Sequence, residues 1–502
     1  MTSSIVGSAI VYLVLVVLIG IWAARRTSSA RDFFIAGQKV GWIVTAFATM
    51  SAAFSGFVFM GGPGLMYRVG VASLFICIPV GFTSGMLCWV VGKRLRLLSG
   101  LQQIYTVPDV ILCRYRSRRA SGLAAIAVII GTIGYLGAQL QALGILIQTV
   151  FGTAGGRWGL LAAMIFGAAV VVFYAAAGGM VAGVYTDLFQ GALMVVAAVA
   201  VFFYCLRSGG GLEAMSRSII ASDTFGPNHL DPFGTLPVMT AIGFFFVFAV
   251  GLLGQPHMLH KFFMLEDPRK LKWMPLVIGV TQSACILIWL GIGLAVPALV
   301  AQGRMAALIN PDQAAPQFLL KFTPGILAGL VFAGVLAAIM STADSFLNIG
   351  SAAIVRDLPK AVGRRVSNEF LWGRIAVVGL AGVAVVFSFF YRDLIALVGT
   401  FAYGTFAAAL APAVAIGLNW RRVTAAAASA SIATGMVVNL GLELMSRQTM
   451  WGWFPHLSLK AGGLPSAVAL AASFTVLFAV TWLRPADKDS QVDPDIDFVM
   501  EI

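Results

Sequence analysis

Long apolar segments constrain this chain more than any other feature of its sequence. An α-helix that crosses the hydrocarbon core of a bilayer needs about 20 predominantly apolar residues. Segments of this kind lie at approximately 5 to 24, 42 to 66, 71 to 91, 123 to 151, 158 to 177, 183 to 206, 236 to 256, 274 to 300, 325 to 347, 374 to 391, 394 to 418, 423 to 443 and 464 to 483. Only 11% of the residues are charged, whereas soluble domains carry about 25%. The sequence therefore predicts an all-α polytopic membrane protein with thirteen transmembrane helices.

Basic residues are distributed unevenly between the ends of these helices. The formal net charge is +13, and the Lys and Arg residues cluster at alternate helix ends. The clusters are Arg25-Arg26, Lys93-Arg94, Arg114 to Arg119, Lys261 to Lys272, Arg356 to Arg374 and Arg421-Arg422. Because cytoplasmic loops are enriched in Lys and Arg, we expect the N-terminus outside and the C-terminus in the cytoplasm, in the plasma (inner) membrane. Anionic lipid headgroups account for the excess charge, so neither a nucleic acid nor an obligatory protein partner is predicted.

Two of the predicted helices contain helix-breaking residues. Glycines and a proline crowd the second helix from Gly56 to Gly64 and the seventh from Gly251 to Pro256. Proline removes a backbone donor, and glycine lowers the cost of non-helical torsions. Backbone that unwinds within a membrane must face protein or a water-filled cavity. These positions either mark unwound segments that bind ions and substrate or reflect the general abundance of Gly and Pro in membrane helices.

The two interruptions are five helices apart, which is typical of two inverted five-helix repeats that each begin with a broken helix. The predicted organisation is one transmembrane transporter domain over 1 to 502. Its parts are an extra N-terminal helix (5 to 24), two five-helix repeats (42 to 206 and 236 to 418), two C-terminal helices (423 to 483) and a cytoplasmic tail (484 to 502). We expect the first helix to be retained, because no basic residue precedes its apolar run, and the tail to be too short for a further domain.

The ninth helix carries an unusual concentration of polar side chains. Four of the five residues from Ser341 to Ser345 are polar. Helical spacing places Ala338, Ser341, Thr342 and Ser345 on one face, where hydroxyl and carbonyl oxygens can converge. Oxygen ligands of this kind suit a small hard monovalent cation. The alternative is that these hydroxyls bond to their own backbone or join neighbouring helices.

Two carboxylates fall within or beside apolar helices. Asp344 lies in the ninth helix and Asp187 near the start of the sixth. A carboxylate near the middle of the membrane costs about 2.5 to 3.5 kcal/mol on the translocon scale, so Asp344 is a candidate functional residue. For Asp187 a solvated position at the helix end is an alternative. The two acids could line a cation path, or one of them could be protonated.

The motifs of several other function classes are missing from the sequence. His257 and His260 form an HxxH pair without an HExxH or CxxC motif, so no metal site is predicted. A Walker A motif is also lacking, so ATP is not the energy source. Transport would then depend on an ion gradient. A membrane enzyme that uses Asp187 and Asp344 as an acid pair is a less favoured alternative.

Four separate motifs resemble the sodium:solute symporter family, and the similarity extends from the first to at least the tenth predicted helix. The motifs are Phe54-Ser55-Gly56-Phe57 with Met60-Gly61-Gly62-Pro63-Gly64, Gly178-Gly179 to Thr186-Asp187 with Gln190, Gly254-Gln255-Pro256-His257, and Ser341-Thr342-Ala343-Asp344-Ser345. The resemblance implies thirteen helices, a LeuT-like ten-helix inverted-repeat core, and alternating access coupled to inward movement of Na⁺, the coupling ion.

The resemblance also implies roles for individual residues. A main Na⁺ site would use the backbone carbonyls of Ser51, Phe54 and Ala338 with the hydroxyls of Ser341 and Thr342. A second Na⁺ site, found in some members, would correspond to Asp187, Ser341, Asp344 and Ser345. The candidate substrate-binding residues are Phe57, Tyr135, Phe248 and Gln255.

Departures from the family pattern limit the prediction of the substrate. Compared with the sodium/proline branch, Tyr135 matches, but four pocket positions differ, namely Ala53, Phe57, Phe248 and Leu252. The segment from Gly61 to Gly64 with Tyr67-Arg68 is at least as similar to the sodium/pantothenate branch. We therefore predict a Na⁺-coupled importer of a small organic solute, such as proline or pantothenate. An H⁺-coupled symporter of the same fold, with Asp187 or Asp344 titrating, is the alternative.

Overall fold

The computed structural model describes residues 2–24, 35–151, 156–391, 393–446, 462–483 and 493–501. Its α-helices are α1 (Thr2–Ala24), α2 (Trp42–Ala53), α3 (Gly62–Val69), α4 (Val80–Met86), α5 (Lys93–Leu101), α6 (Val107–Tyr115), α7 (Arg118–Phe151), α8 (Arg157–Gly209), α9 (Leu212–Ile220), α10 (Val238–Val250), α11 (Pro256–Met264), α12 (Met274–Ala301), α13 (Ala314–Phe322), α14 (Gly325–Ala352), α15 (Leu358–Ala361), α16 (Glu369–Phe390), α17 (Ile395–Ala411), α18 (Ala425–Ser446), α19 (Pro465–Leu483) and α20 (Pro494–Glu501). Across the described ranges, β-structure is limited to an isolated bridge between Val40 and Leu265. The predicted all-α fold is confirmed.

The predicted membrane character is also confirmed. Within the described residues, ten helical stretches are long and apolar enough to cross a membrane, namely Phe57–Leu101, Arg118–Phe151, Gly183–Gly209, Val238–Met264, Pro268–Ala301, Gly325–Ala361, Glu369–Phe390, Ile395–Ile416, Ala425–Ser446 and Pro465–Leu483. Three shorter apolar helices are Ile5–Ile19, Trp42–Ala53 and Arg157–Phe173. The chain is therefore an integral multi-pass membrane protein, and the count of thirteen transmembrane helices stays a prediction.

The first interruption lies slightly earlier than the glycines suggest. Helix α2 ends at Ala53, and Phe54 is extended, with φ −101° and ψ 111°. A π-helical turn then runs over Phe57–Gly61 and leads into α3. The segment from Gly61 to Gly64 is therefore helical, since a proline in the first turn of a helix loses no hydrogen bond. Gly62 is required for packing, because a Cβ atom there would lie 2.2 Å from the ring of Trp289.

The second interruption lies where the sequence predicts it. Helix α10 ends at Val250, a 3₁₀ turn covers Gly251–Gly254, and Gln255 is extended before α11 begins at Pro256. A Cβ atom at Gly254 would lie 2.5 Å from the backbone nitrogen of Ala411. The glycine therefore allows this turn to pack closely against the end of α17.

The third predicted helix is longer and less regular than expected. Residues Gly70–Ile76 form a 3₁₀ helix, and α4 continues through a π-helical turn at Leu87–Gly92 into α5. The basic side chains after residue 92 were expected to begin a loop. They remain on a helix because Arg96 donates hydrogen bonds to the backbone carbonyls of Leu265 and Glu266.

Helices α7, α14 and α17 form the interior of the bundle. Helix α14 packs against α8, and α7 packs against α17. Helix α1 packs on α8 and α14 from outside, where the Tyr12 hydroxyl accepts a 2.6 Å hydrogen bond from Gln190 Nε2. Helix α16 instead exposes large apolar side chains such as Val378 and Phe390, which is typical of a surface that faces lipid.

Part of the predicted tail is ordered against the bundle. Helix α20 buries Ile496 and Val499, and Arg421 pairs with Glu501 at 2.8 Å. The rest of the predicted tail, 484–492 and 502, and the predicted Arg25-Arg26 cluster lie outside the described residues.

Candidate functional site: two polar clusters and an aromatic cavity

The backbone of the first interruption leaves several carbonyl groups without their usual helical donors. The Gly56 N–H donates to Gln139 Oε1 at 2.9 Å, and the Phe57 N–H donates to Ser55 Oγ at 3.1 Å. The Val58 N–H donates to the Ser55 carbonyl at 2.9 Å. The carbonyl groups of Ala52, Ala53 and Phe54 therefore do not receive the hydrogen bonds that these three N–H groups would donate in a continuous helix. A carbonyl in this position can serve as a ligand for a cation.

The interruption also lies directly against the polar face of α14. Ser51 Oγ and Ser341 Oγ are 2.8 Å apart, and Thr342 Oγ1 donates to the Ala52 carbonyl at 3.4 Å. All five predicted residues of the main Na⁺ site are buried, with Ala338 one turn before Ser341 on the same helix. The tertiary structure therefore brings the end of α2 and the middle of α14 together, as the ligand set requires.

A charged cluster lies beside this contact. Lys261 Nζ on α11 is 2.8 Å from Asp187 Oδ2 on α8, and both side chains are 1% exposed. The same ammonium group donates to Ser345 Oγ at 3.1 Å. Asp187 Oδ1 accepts a 2.5 Å hydrogen bond from Ser341 Oγ. Asp187 is therefore not solvated at a helix end, and Lys261 is not a cytoplasmic loop residue as the basic cluster had suggested.

Asp344, the fourth residue of the predicted second Na⁺ site, is buried in a separate contact. Its Oδ1 atom accepts a 3.1 Å hydrogen bond from Asn348 Nδ2. Its Oδ2 atom lies against Gly183 on α8, where a Cβ atom would come within 2.5 Å of it. A glycine at position 183 is therefore needed for the carboxylate to occupy this place.

The two polar clusters share one hydroxyl group. Ser341 Oγ donates to Asp187, so the remaining hydrogen bond to Ser51 Oγ has Ser341 as the acceptor. The bonds run continuously from Ser51 through Ser341 and Asp187 to Lys261. An electrostatic change at the lysine is therefore transmitted to a predicted ligand of the main Na⁺ site.

A small aromatic cavity lies beside the first interruption. Its volume is about 40 Å³, and its lining includes Ala53, Phe54, Phe57, Val58, Ile76, Cys77, Val80, Thr83, Tyr135, Phe248, Leu252, Met258, Gln282, Trp289 and Tyr403. The rings of Phe57 and Phe248 stack with centroids 5.6 Å apart. Three predicted substrate-binding residues, Phe57, Tyr135 and Phe248, thus line one cavity.

Gln255, the fourth predicted substrate-binding residue, is not among the residues that line this cavity. Its side-chain amide donates to the carbonyl groups of Gly251 at 3.0 Å and Tyr403 at 3.1 Å. It therefore holds the second interruption against α17. His257 packs beside two aromatic rings that stack on each other, with ring centroids 4.4 Å from Phe346 and 5.9 Å from Tyr135.

An acidic residue packs against the second half of the first interrupted helix, α3. Asp312 lies in the short turn before α13, and its Oδ2 atom accepts a 3.0 Å hydrogen bond from the Ile395 N–H at the start of α17. A Cβ atom at Gly64 would come within 2.9 Å of Asp312 Oδ1. Burial raises the pKa of Asp312 to about 7, because a low-dielectric environment disfavours the carboxylate.

The sequence analysis missed several residues of these sites. Lys261 was assigned to a basic loop, and Trp289, Tyr403 and Gln282 were not singled out. A glutamine within an apolar segment is a signal that could have identified Gln282, which is 2% exposed. The aromatic residues offered no such signal, because the chain contains 36 Phe, 10 Tyr and 11 Trp residues.

Comparison with known proteins agrees with this architecture. A sequence profile described as the sodium:solute symporter family matches residues 33–435. The osmoregulated proline transporter OpuE of Bacillus subtilis is 28% identical over 451 residues, which cover 87% of this chain and 88% of that protein. The sodium/pantothenate symporter of Haemophilus influenzae is 25% identical over 459 residues, which cover 89% of this chain and 93% of that protein.

A solved structure supports the same fold. The Na⁺-coupled sialic acid symporter, in a substrate-bound outward-open state, superposes with a TM-score of 0.75 at 16% identity, covering 97% of this chain and 99% of that chain. The matched family and relatives are transporters, so the hypothesis of a membrane enzyme is rejected. With the profile spanning most of its length, the chain belongs to the sodium:solute symporter family and is a symporter of small solutes.

Proposed function

We propose that this protein imports a small organic solute together with Na⁺, and that the part of the solute that lies against the aromatic rings is uncharged. Na⁺ would bind between the first interruption and α14. The observation that carries this proposal is the 2.8 Å contact between Ser51 Oγ and Ser341 Oγ. It joins the last turn of α2, directly before the first interruption, to the polar face of α14. The carbonyls of Ser51, Phe54 and Ala338 and the hydroxyls of Ser341 and Thr342 would supply five oxygen ligands.

The solute would bind in the aromatic cavity. Among the described residues that line it, no side chain carries a formal charge. Polar groups are supplied by Thr83, Tyr135, Tyr403 and Gln282, and Gln282 Oε1 lacks a hydrogen-bond partner within the described part of the chain. An unpartnered buried oxygen favours a solute that presents a hydrogen-bond donor. An amino acid such as proline and a hydroxylated amide such as pantothenate both meet this requirement.

The small volume of the cavity indicates a closed conformation. A cavity of about 40 Å³ is far smaller than the roughly 300–1,000 Å³ of typical ligand sites. Phe57 fills the space between Phe248 and Trp289, with ring centroids 5.6 and 5.8 Å away. Solute binding would therefore require these rings to separate.

Na⁺ and solute would be coupled through the first interruption. Phe54 supplies a carbonyl to the ion site, and Phe57, three residues later, lines the cavity. Na⁺ that orders this segment would place Phe57 for solute binding, so each ligand raises the affinity of the other by the same factor. Release of Na⁺ into a low-sodium cytoplasm would then weaken solute binding.

We also propose the finer architecture that the sequence predicts. The chain would have thirteen transmembrane helices, with a ten-helix inverted-repeat core formed by 42 to 206 and 236 to 418. The N-terminus would lie outside and the C-terminus in the cytoplasm of the plasma membrane, so that the exposed basic clusters face anionic headgroups. The interruptions at Phe54 and Gln255 support this repeat.

A thermal-shift experiment tests the proposed function. The purified protein is melted with a panel of amino acids and carboxylates, including proline and pantothenate, each in NaCl and in matched KCl. A ligand that binds the folded state raises the apparent stability by mass action. A solute that stabilises only in NaCl is the expected result. Stabilisation that ignores Na⁺ but changes with pH would contradict the proposal and favour H⁺ coupling.

A further inference from the structure

Lys261 lies in a buried environment that neither the main Na⁺ site nor the aromatic cavity explains. It lies on α11, directly after the second interruption, and its side chain is 1% exposed. Its ammonium group contacts Asp187 Oδ2 at 2.8 Å and Ser345 Oγ at 3.1 Å. A buried ammonium group is tolerated only when it is paired and hydrogen-bonded. The lysine is therefore held as a cation at a fixed point between α8, α11 and α14.

The groups around this ammonium belong to the residues predicted for the second Na⁺ site. Asp187, Ser341 and Ser345 are three of the four predicted ligand residues, and all three are joined in the cluster around Lys261. Na⁺ and an ammonium group both carry one positive charge and both favour carboxylate and hydroxyl oxygens. A Na⁺ ion bound to Asp187 and Ser345 would compete with Lys261 Nζ for their oxygen atoms. The positive charge of the lysine would also repel the ion at close range.

The lysine also influences the main Na⁺ site. Because Lys261 pairs with one oxygen of Asp187, the other oxygen remains an anionic acceptor for the Ser341 hydroxyl. The Ser341 proton is thereby directed toward Asp187 and away from Ser51. The lone pairs of Ser341 Oγ are left on the side of the first interruption, where a cation can use them.

We propose that Lys261 is a built-in cation that occupies the second ion site, so that each chain binds one Na⁺ and not two. The proposal rests on the proposed function, since the one Na⁺ is assigned to the main site. The ammonium group neutralises Asp187 throughout the transport cycle without being released. Removal of the lysine converts the same carboxylate and hydroxyl oxygens into a second Na⁺ site.

Direct counting of bound ions tests this inference without any knowledge of the solute. The full chain is purified into lipid nanodiscs, and saturation with ²²Na⁺ at constant ionic strength gives the number of ions per chain. The wild type is expected to bind one ion with a Hill coefficient of one. Lys261→Met, which keeps most of the stem length but removes the charge, is expected to bind two.

Two matched variants control for the loss of a buried ion pair. Lys261→Arg retains the positive charge and is expected to keep the count at one. The double variant Asp187→Asn/Lys261→Met removes both charges, so it lacks an unpaired buried carboxylate and is also expected to bind one. If Lys261→Met fails to fold, Lys261→Gln, which keeps a neutral hydrogen-bond donor for Asp187, takes its place and is expected to bind two ions, and a count of one in that folded variant overturns the assignment.

The possible outcomes separate this inference from the proposed function. A wild type that binds two Na⁺ leaves Na⁺ coupling intact and overturns the assignment of Lys261. A folded Lys261→Met protein that still binds one ion overturns the assignment as well. A wild type that binds no Na⁺ in excess of a KCl-competed background overturns the proposed function and this inference together.

Discussion

At the two interrupted helices, glutamine side chains bond to opposite kinds of backbone group, an N–H at the first and a carbonyl at the second. At the first, the side-chain oxygen of Gln139 accepts a hydrogen bond from the Gly56 N–H at 2.9 Å. At the second, the side-chain amide of Gln255 donates to the Gly251 carbonyl at 3.0 Å. At the first interruption, side chains therefore accept hydrogen bonds from the free N–H groups, and the Phe54 carbonyl remains available to other ligands. At the second interruption, a side chain instead donates a hydrogen bond to the free carbonyl group.

Interruptions that look similar in sequence therefore need not be functionally equivalent. Both are rich in glycine and contain a proline, and both end a helix with one extended residue. When a glutamine side chain accepts hydrogen bonds from free N–H groups, the backbone carbonyl groups remain available to other ligands. When its amide donates to the carbonyl groups, they are no longer available. Only the first arrangement leaves negative dipole ends available to the proposed Na⁺ site.

The largest effect is expected from removing the hydroxyl ligands opposite the first interruption. Ser341→Ala/Thr342→Ala should lower Na⁺ affinity by at least about 100-fold, because each lost oxygen ligand is comparable in energy with a hydrogen bond to a charged group, about 1.5–3 kcal/mol. Na⁺-stimulated uptake in proteoliposomes should fall to the level in KCl. Thr475→Ala is the control, since this exposed hydroxyl bonds to the Ala471 carbonyl on α19. Full Na⁺ stimulation in the double variant would reject the main Na⁺ site.

A smaller effect is expected from uncovering the Gly56 N–H. Gln139→Leu leaves a buried donor without an acceptor, which costs about 1–3 kcal/mol. The lost preorganisation should weaken Na⁺ binding by about tenfold, since 1.4 kcal/mol corresponds to a factor of ten. Binding of ²²Na⁺ measures the change. Gln141→Leu, on the same helix but directed at the Asp393 carbonyl, should bind Na⁺ like the wild type, and equal losses in both variants would contradict the comparison.

The equivalent change at the second interruption should affect stability more than ion binding. Gln255→Leu removes donors from the carbonyls of Gly251 and Tyr403, which should cost about 1 kcal/mol each. We expect a lower melting temperature with Na⁺ affinity within about twofold of the wild type, because hydrogen bonds that only support the fold act equally on both ligand states. A tenfold loss of solute affinity with unchanged stability would instead show direct contact between Gln255 and the solute.

The smallest effect is expected from the pH dependence of Asp312, which packs against α3. Burial raises the pKa of Asp312 to about 7, above its unfolded value of about 3.9. A raised carboxyl pKa means that the folded state binds the proton more tightly, so stability is lost as pH rises from about 4 through about 7. The melting temperature should be higher at pH 5 than at pH 8. Asp312→Asn should reduce this difference, and an unchanged pH profile would show that other groups cause it.

Much of the architecture could be predicted from local sequence alone. Apolar length predicts helices that cross a membrane, and the glycines and prolines indicate where two of them are interrupted. The polar face around Ser341 follows from helical spacing, which is a property of the helix itself. The exact position of the first interruption could not be predicted, because it depends on Gln139 and Ser55 as acceptors for the freed N–H groups.

The charged cluster shows where local sequence reasoning fails. Lys261 precedes a run of basic residues, so its pattern is typical of a cytoplasmic loop. Its pairing with Asp187, 74 positions earlier in the chain, depends on how α8 and α11 pack together. The alternatives for Asp187, solvated or part of an ion site, could therefore be separated only by the tertiary structure.

Local sequence was enough to predict that this chain is helical, spans a membrane and has candidate oxygen ligands for a small cation, because apolar length, helix-breaking residues and helical spacing act over short distances. Which groups lie together depends on helix packing and could be seen only in the folded chain. Helix packing places Ser51 against Ser341 and leaves Gln255 outside the cavity lining. It also encloses Lys261 with Asp187, since a buried charge must find its partner wherever the fold supplies one.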